Sequence, residues 1–137
     1  MVDERSREEF LKWSEVKISL HNEKSKKLHV RSGEVWWASL GKNIGSEMDG
    51  KGQLFERPVV ILRWASATTL LALPVTSKIK HDFWDRVMFK NKDGFDRDAV
   101  ITQLRLISVN RLHRKIEKIP HDVLIRIKKA INNFIEN

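Results

Sequence analysis

Short apolar runs, separated by turn residues, dominate this chain from residue 33 onwards. Five of them are six to nine residues long and rich in aliphatic or aromatic residues: 35–40, 58–63, 70–75, 84–89 and 99–107. The sequence Lys92-Asp93-Gly94, between the last two runs, is typical of a tight turn. Runs of this length and spacing predict a small antiparallel sheet or barrel rather than alternating strand–helix–strand units.

A helix is predicted ahead of these strands, over residues 6–21. Ser6 and Glu9 form a capping-box pattern, and Phe10, Trp13 and Leu20 then fall near one helical face. A basic, polar connector without periodicity follows the helix. We therefore divide the chain into an N-terminal helical extension with its connector as a hinge, residues 1–31, and a main domain, residues 32–137.

A second helix is predicted after the last proline, at the C-terminus. Val123, Ile127 and Ile131 recur every four residues, and Phe134 or Ile135 continues this apolar stripe. Lysine, arginine and asparagine cover the opposite side, so the helix is expected to pack its apolar face on the sheet. The predicted fold class is mainly β, with a C-terminal amphipathic helix and an extra N-terminal helix.

The charge of the chain restricts its partners. Its 26 Lys and Arg residues exceed its 18 Asp and Glu residues, which gives a formal charge of +8. This surplus favours nucleic acid, an acidic protein segment or an anionic membrane. The apolar runs are far shorter than the roughly 20 residues of a membrane-spanning helix, and the N-terminus has no apolar signal region. A soluble intracellular protein is therefore expected.

Other reactive or metal-binding motifs are absent or incomplete. The chain has no cysteine, which excludes thiol nucleophiles and disulfides. Gly45, Gly50 and Lys51 have the spacing of a phosphate-binding loop, but Gly52 stands where Ser or Thr must ligate magnesium. The five histidines lack the spacing of a zinc site. No metal or cofactor is predicted, and the glycine-rich segment is interpreted as a hairpin loop.

Several segments, in order along residues 33–135, resemble the MazF/PemK family of toxin endoribonucleases. They are Gly33-Glu-Val-Trp-Trp-Ala-Ser-Leu40, Gly45-Ser46-Glu47, Arg57-Pro-Val-Val-Ile-Leu62, Leu73-Pro-Val-Thr-Ser77, Gln103-Leu-Arg105 and Ser108-Val-Asn-Arg-Leu112. The resemblance implies an SH3-like small barrel, usually a cytoplasmic homodimer. It also implies the toxin of a type II toxin–antitoxin system, inhibited by an acidic cognate antitoxin, that halts translation by cleaving mRNA.

The same resemblance implies sequence-selective cleavage of single-stranded RNA without a metal. The 2′-hydroxyl attacks the adjacent phosphorus and leaves 2′,3′-cyclic phosphate and 5′-hydroxyl ends. Arg57 matches the family's catalytic arginine, Thr76 its catalytic threonine, and Ser77 a neighbouring helper. Glu47 matches an acidic residue that some members use near the phosphate; a solvated loop charge is the alternative.

One departure from the family leaves the proton-transfer roles open. Some members carry an arginine and an aspartate on the fifth strand, where Val100 and Thr102 stand here. General acid and base must then be Glu47, Thr76 or a loop group such as His81. Because of this departure, a catalytically weak or inactive nucleic-acid-binding protein of the same fold is the alternative function, with a CcdB-type gyrase poison as a third.

RNA binding is predicted for cations in or beside the loops that follow strands, where they can track a single-stranded backbone. They are Lys78, Lys80, Lys90, Lys92, Arg97 and Arg105. Phe83 and Trp84 either stack a base or pack in the core. Trp36 and Trp37 must point to opposite faces of a strand, so one of the two is expected in the core.

Overall fold

The computed structural model describes residues 3–81 and 83–137 and shows two helices and seven strands. The elements are α1 (Glu4–Asn22), β1 (Glu34–Ser39), β2 (Glu56–Trp64), β3 (Thr69–Thr76), β4 (Arg86–Lys90), β5 (Asp96–Val100), β6 (Arg105–Ser108), β7 (Leu112–Lys118) and α2 (His121–Glu136). Residues 1 and 2 of the predicted extension lie outside the described residues, and the division at residue 31 stays a prediction. The mainly β fold with a helix at each end is confirmed.

All strand pairs are antiparallel, in the order β4-β5-β3-β2-β1-β7, and β6 also pairs with β3. The first half of β3 pairs with β6 and its last two residues, Val75 and Thr76, pair with β5. In the β2–β3 register Val59 stands opposite Pro74. The beginning of β2 and the end of β3 therefore lie side by side at one edge of the barrel.

Alternation along the strands places most apolar side chains of the sheet in two of the three core clusters, one on each face. Val35, Val60 and Leu73 face α2, where they pack with the buried Ile127. Trp36 and the alternate residues that follow it along the chain pack on the other face of the sheet. Val, Ile and Leu side chains in such positions each contribute roughly 1.5–3 kcal/mol to folding through burial.

The predicted strand count of five is wrong, for two reasons. The run 99–107 is not one strand, because a 3₁₀ turn at Ile101–Gln103 separates β5 from β6 and sends them to different halves of β3. Strand β7 was not predicted, because Leu112-His-Arg-Lys-Ile-Glu-Lys118 is mostly polar and buries only Leu112 fully. Pairing with β1, rather than hydrophobic pattern, makes this segment a strand.

Both predicted helices are present, with corrected ends. Asp3, not Ser6, caps α1, since its Oδ1 accepts a hydrogen bond from the backbone N–H of Ser6 at 2.7 Å. The apolar stripe of α2 ends earlier than predicted, because Phe134 and Ile135 are exposed. In the part of the chain that the structure describes, neither helix is long and apolar enough to cross a membrane.

The predicted turn at 92–94 is confirmed by its backbone. Gly94 has φ of +84°, and its N–H donates to the carbonyl oxygen of Asn91 at 3.0 Å. Asn91 in turn donates its N–H to Phe95 at 2.8 Å. This turn joins β4 to β5 and brings residues 91–93 to the barrel edge where β2 begins and β3 ends.

Candidate active site

An open cavity of about 690 Å³ lies where β2 begins and β3 ends. Its apolar wall includes Val35, Trp37, Val75, Phe89 and Ile116. Arg57, Thr76 and Ser77 also line it, so three of the four predicted catalytic residues share one depression. An apolar wall with a few converging polar groups is the usual composition of a ligand site.

Backbone carbonyls fix the guanidinium of Arg57 at the edge of this cavity. Its Nε donates to the Asp49 carbonyl oxygen at 2.7 Å, and its Nη1 donates to the Val75 carbonyl oxygen at 3.2 Å. Burial lowers the pKa of Arg57 from its ordinary value, and the nearby Asp49 carboxylate acts in the opposite direction. A guanidinium has five N–H groups, so donors remain for a ligand.

Thr76 ends β3 with its side chain buried. Its Oγ1 accepts the backbone N–H of Lys78 at 3.1 Å, and a hydroxyl that accepts one hydrogen bond can still donate its own proton. Opposite Thr76 on β5, the buried Asp98 accepts from the N–H of Lys80 at 2.9 Å and from Arg86 Nη1 at 3.1 Å. These contacts fix the loop after β3, which presents Ser77 to solvent.

Glu47 lies in a neighbouring depression of about 500 Å³. Its Oε1 accepts the backbone N–H of Ile44 at 2.9 Å. Arg105 lines the same depression; burial lowers the pKa of Arg105, and the Glu47 carboxylate opposes that shift. Thr102, one of the two positions where the sequence departs from the resemblance, also lines this depression. Glu47 is therefore grouped with Arg105 and Thr102, apart from Thr76.

The predicted RNA-binding cations divide in the same way. Lys92 and Arg97 line the cavity with Arg57, whereas Arg105 lines the second depression. The remaining three line neither: Lys78 is exposed, Lys80 Nζ stands 5.1 Å from the ring centre of Phe83, and Lys90 pairs with Asp96 at 2.9 Å. His81 is exposed in the loop after β3 and also lines neither.

The two tryptophans of β1 face opposite ways, as predicted. Trp36 is buried in the core, and Trp37 is half-buried in the cavity wall, 5.1 Å from the guanidinium carbon of Arg114. Arg114 belongs to β7, and its place in the cavity was missed along with that strand. Glu117, another β7 residue of the lining, has its pKa raised by burial, against a lowering influence of Lys92.

Gln103 is a second residue whose role the sequence did not reveal. Its Oε1 accepts the N–H of Met48 at 3.1 Å, and its Nε2 donates to the Ser46 carbonyl oxygen at 3.1 Å. It therefore holds the loop that carries Glu47. Gln103 stands in one of the segments that carry the family resemblance, but only the folded chain shows the contacts that it makes.

Cations outnumber carboxylates among the described residues of the first cavity. Five cations, Lys51, Arg57, Lys92, Arg97 and Arg114, face three acidic residues, Glu56, Asp93 and Glu117. Glu56 is paired with Arg114 at 3.4 Å. The cavity therefore suits an anionic ligand that also has a planar or apolar part to set against Trp37.

Comparison with known proteins identifies the family. Residues 31–135 match the family described as PemK-like, MazF-like toxin of type II toxin-antitoxin system. A comparison with curated protein sequences gives no match.

Solved structures with the same fold include two toxins, one of them also in a toxin–antitoxin complex. MazF (Form-I) from Deinococcus radiodurans has a TM-score of 0.67 at 20% identity, over 81% of this chain and 100% of that chain. MazE-MazF (Form-II) from the same organism has a TM-score of 0.61 at 18% identity, over 80% and 98%. Mycobacterium tuberculosis toxin MazF-mt6 has a TM-score of 0.58 at 19% identity, over 75% and 96%. This chain shares its fold with these proteins. The family match covers most of the chain and shows that the chain belongs to the PemK/MazF toxins of type II toxin–antitoxin systems.

Proposed function

We propose that this toxin is a metal-independent endoribonuclease that cleaves single-stranded RNA at the Arg57–Thr76 cavity. The observation that carries the proposal is that Arg57 and Thr76 converge on one cationic depression with an apolar wall. A phosphodiester with an attached base has the matching chemistry: one negative charge beside a planar ring.

In the proposed reaction the nucleophile belongs to the substrate. The 2′-oxygen loses its proton to a base and bonds to the adjacent phosphorus, and the bond from phosphorus to the 5′-oxygen breaks. An acid protonates the departing 5′-oxygen, so the products are a 2′,3′-cyclic phosphate and a 5′-hydroxyl. Charge develops on the non-bridging oxygens, where Arg57 and the Thr76 hydroxyl would each donate a hydrogen bond.

The proton acceptor and donor have several candidates in and beside the cavity. Glu47, Thr76 and a loop group such as His81 were the candidates from the sequence. Glu47 lines the neighbouring depression beside Arg105, Thr76 lines the first cavity, and His81 lines neither. Glu117 lines the same cavity as Arg57 and has a raised pKa, which suits a group that exchanges protons closer to neutral pH. The pH–rate profiles of Glu47→Gln and Glu117→Gln decide between these two carboxyl groups, because loss of a catalytic acid or base removes one limb of the profile.

RNA would be held by contacts on both sides of the reacting phosphate. Lys92 and Arg97 supply charge in the first cavity, and Arg105 supplies it in the second. Trp37 presents a ring on which a base can stack. Lys78, Lys80 and Lys90 are proposed to contact the outer parts of the RNA strand, since they line neither depression.

The proposed partner in inhibition is an acidic antitoxin segment, initially disordered, that folds across the cationic surface. MazE-MazF complexes are among the structures that share this fold. We also propose that the protein is a cytoplasmic homodimer, and that each chain divides into an extension, residues 1–31, and a main domain, residues 32–137. A small acidic protein encoded beside this one is the expected source of the antitoxin.

The deciding experiment incubates the purified full-length protein with RNA of mixed sequence in the presence of EDTA. Cyclic-phosphate ends, identified by mass spectrometry, are expected for the natural sequence and not for Arg57→Ala. Arg63→Ala is the matched control, because Arg63 is exposed on the same strand and lines neither cavity. Mapping the 5′ ends of the fragments gives the cleavage motif.

Two other outcomes would replace the proposal. Intact RNA, bound with a steep salt dependence, would establish the non-catalytic binding protein. Trapped gyrase–DNA complexes without RNA cleavage would establish a gyrase poison.

A further inference from the structure

Helix α1 lies outside the family match, which begins at residue 31, and its residues line neither of the two depressions described above. It does contact the loop between β1 and β2, residues 40–55. This loop provides the Asp49 carbonyl oxygen that accepts from Arg57 Nε. The connection between α1 and Arg57 has an apolar part and an ionic part.

The apolar part is the contact of Trp13 with the two ends of this loop. Trp13 is buried, and its ring centre lies 5.6 Å from that of Phe55. A Cβ added at Gly41 would stand 2.3 Å from Trp13 Cε2, so only glycine admits the ring. The N–H groups of Leu40 and Gly41 both donate to the Phe55 carbonyl oxygen, at 2.9 and 3.2 Å. Trp13 therefore packs where the loop leaves β1 and returns to β2.

The ionic part leads from α1 to Asp49 itself. Lys42 Nζ lies 3.0 Å from Glu9 Oε2 and 3.5 Å from Asp49 Oδ2. The other carboxylate oxygen of Asp49 accepts the N–H of Asn43 at 2.6 Å. Both Asp49 carboxylate oxygens are thus engaged while its backbone carbonyl accepts from Arg57.

The far end of α1 is also fixed to the barrel. Asn110 Nδ2 donates to the carbonyl oxygens of Leu20 and Glu23, at 3.1 and 3.3 Å. Arg111 adds a contact near the middle of the helix: its guanidinium carbon lies 5.7 Å from the Trp13 ring, and its Nη1 donates to the Ser39 carbonyl oxygen at 3.0 Å. The helix is anchored at several points along its length, so it can transmit a fixed position to the loop.

We propose that α1 is a positioning element for Arg57. Trp13 and Glu9 hold the 40–55 loop in the geometry in which the Asp49 carbonyl oxygen orients the guanidinium towards the RNA phosphate. A misplaced guanidinium loses transition-state hydrogen bonds even when RNA still binds. The effect on cleavage rests on the proposed function; the effect on the Arg57 hydrogen bond does not.

The test measures that hydrogen bond and the reaction separately, in the full-length protein. Hydrogen exchange of the Arg57 Nε–H group is followed by NMR, with the resonance assigned by its loss in Arg57→Lys. In Trp13→Ala we expect exchange of the Arg57 Nε–H group to become about tenfold faster. Single-turnover cleavage should become about tenfold slower, because small displacements of a catalytic group are costly. Affinity for a 2′-O-methylated, uncleavable RNA is expected to stay within about twofold, since α1 lines neither depression. Trp13→Phe is expected to restore both measurements.

Glu9→Gln is the second variant, on the helix surface, with Glu8→Gln as its matched control on the same helix. We expect exchange of the Arg57 Nε–H group to become only about threefold faster in Glu9→Gln, because a partly exposed ion pair contributes little. In Glu8→Gln it should stay unchanged. The proposal would be overturned if Trp13→Ala folds and keeps both the Arg57 Nε–H exchange rate and the cleavage rate of the unmodified protein. If Trp13→Ala does not fold, an unchanged exchange rate in Glu9→Gln overturns it. If the natural protein cleaves no RNA, the proposed function fails, and the exchange comparison still decides the role of α1.

Discussion

Arg57 donates its Nε–H to the backbone carbonyl oxygen of Asp49 at 2.7 Å. A second donor, Nη1, reaches the Val75 carbonyl oxygen at 3.2 Å, next to Thr76. The orientation of the guanidinium is therefore set by the backbone of a loop and of a strand end. Both supports bring Arg57 to the same cavity as Thr76.

Replacement of Arg57 is expected to lower the cleavage rate much more than the affinity for RNA. Arg57→Ala removes the donors that stabilise the developing charge, so the single-turnover rate should fall by about 10³-fold. Arg57→Lys keeps the charge but not the planar fork, and a fall of about 10²-fold is expected. Rapid-quench cleavage of a mapped RNA gives the rates; a rate for Arg57→Lys equal to that of the natural protein would refute the role of the fork.

Thr76 is expected to act through its hydroxyl group. Thr76→Val keeps the shape but removes both the acceptor for Lys78 N–H and the donor for phosphate. We expect cleavage to fall by about 10²-fold in Thr76→Val and by less than about fivefold in Thr76→Ser. Equal rates in the two variants, measured in single-turnover reactions, would leave the hydroxyl without a catalytic function.

Trp37 is expected to contribute to RNA affinity through stacking. Trp37→Ala should weaken binding of uncleavable RNA by about tenfold, within the range of one lost base stack. Trp84→Ala is the control, since Trp84 is exposed and lines neither depression. Titrations followed by fluorescence anisotropy measure both; a larger loss at Trp84 would move the stacking site to the loop after β3.

Gly41 is expected to be intolerant of any side chain. Its φ is +92°, and a Cβ would stand 2.3 Å from the Trp13 ring, so Gly41→Ala should lower the free energy of unfolding by about 3 kcal/mol. Gly45 also has a positive φ, of +56°, but a Cβ there meets nothing within 4 Å. Gly45→Ala should therefore cost only about 1 kcal/mol. Urea unfolding compares the two, and equal losses would show that Trp13 does not restrict residue 41.

Glu34 is expected to make stability depend on acid pH. Burial raises the pKa of its carboxyl, but hydrogen bonds from Lys115 Nζ, the Arg31 N–H and Trp36 Nε1 outweigh burial, and the pKa lies below the ordinary 4.5. Its contribution is therefore complete above the unfolded-state pKa and disappears as pH falls through the folded-state value.

Glu34→Gln should accordingly lower the free energy of unfolding by about 2 kcal/mol at pH 7. The difference from the natural protein should shrink as pH falls below the ordinary carboxyl pKa of 4.5, because the Glu34 carboxylate of the folded protein then becomes protonated as well. Urea unfolding at several pH values measures it. A difference that is constant from pH 7 to pH 3 would exclude Glu34 as the titrating group.

Elements with a strong pattern of their own were predicted from the sequence. β1, β2 and β3 were placed within two residues at each end, because their runs are continuous and apolar. β7 was missed, since its polar sequence becomes a strand only through hydrogen bonds to β1. The break between β5 and β6 was also missed, because which half of β3 each segment pairs with is decided by tertiary contacts.

The site shows the same division. Arg57 and Thr76 could be selected from segments that resemble the family, and they share a cavity. The placement of Glu47 beside Arg105, of Arg114 beside Trp37 and of Gln103 under the loop depends on residues far apart in the chain. No local pattern encodes such contacts.

The sequence by itself determined the class of fold, the excess of positive charge and the identity of the residues at the two strand ends, because periodicity, composition and short segments are local properties. The tertiary structure decided which side chains meet. It placed Glu47 and Thr76 in different depressions, added β7 to the cavity, and set Trp13 against Gly41, 28 positions later in the chain. The physical reason is that hydrogen bonds between strands and contacts in the core depend on the whole barrel, and only the folded barrel places α1 beside the loop that holds Arg57.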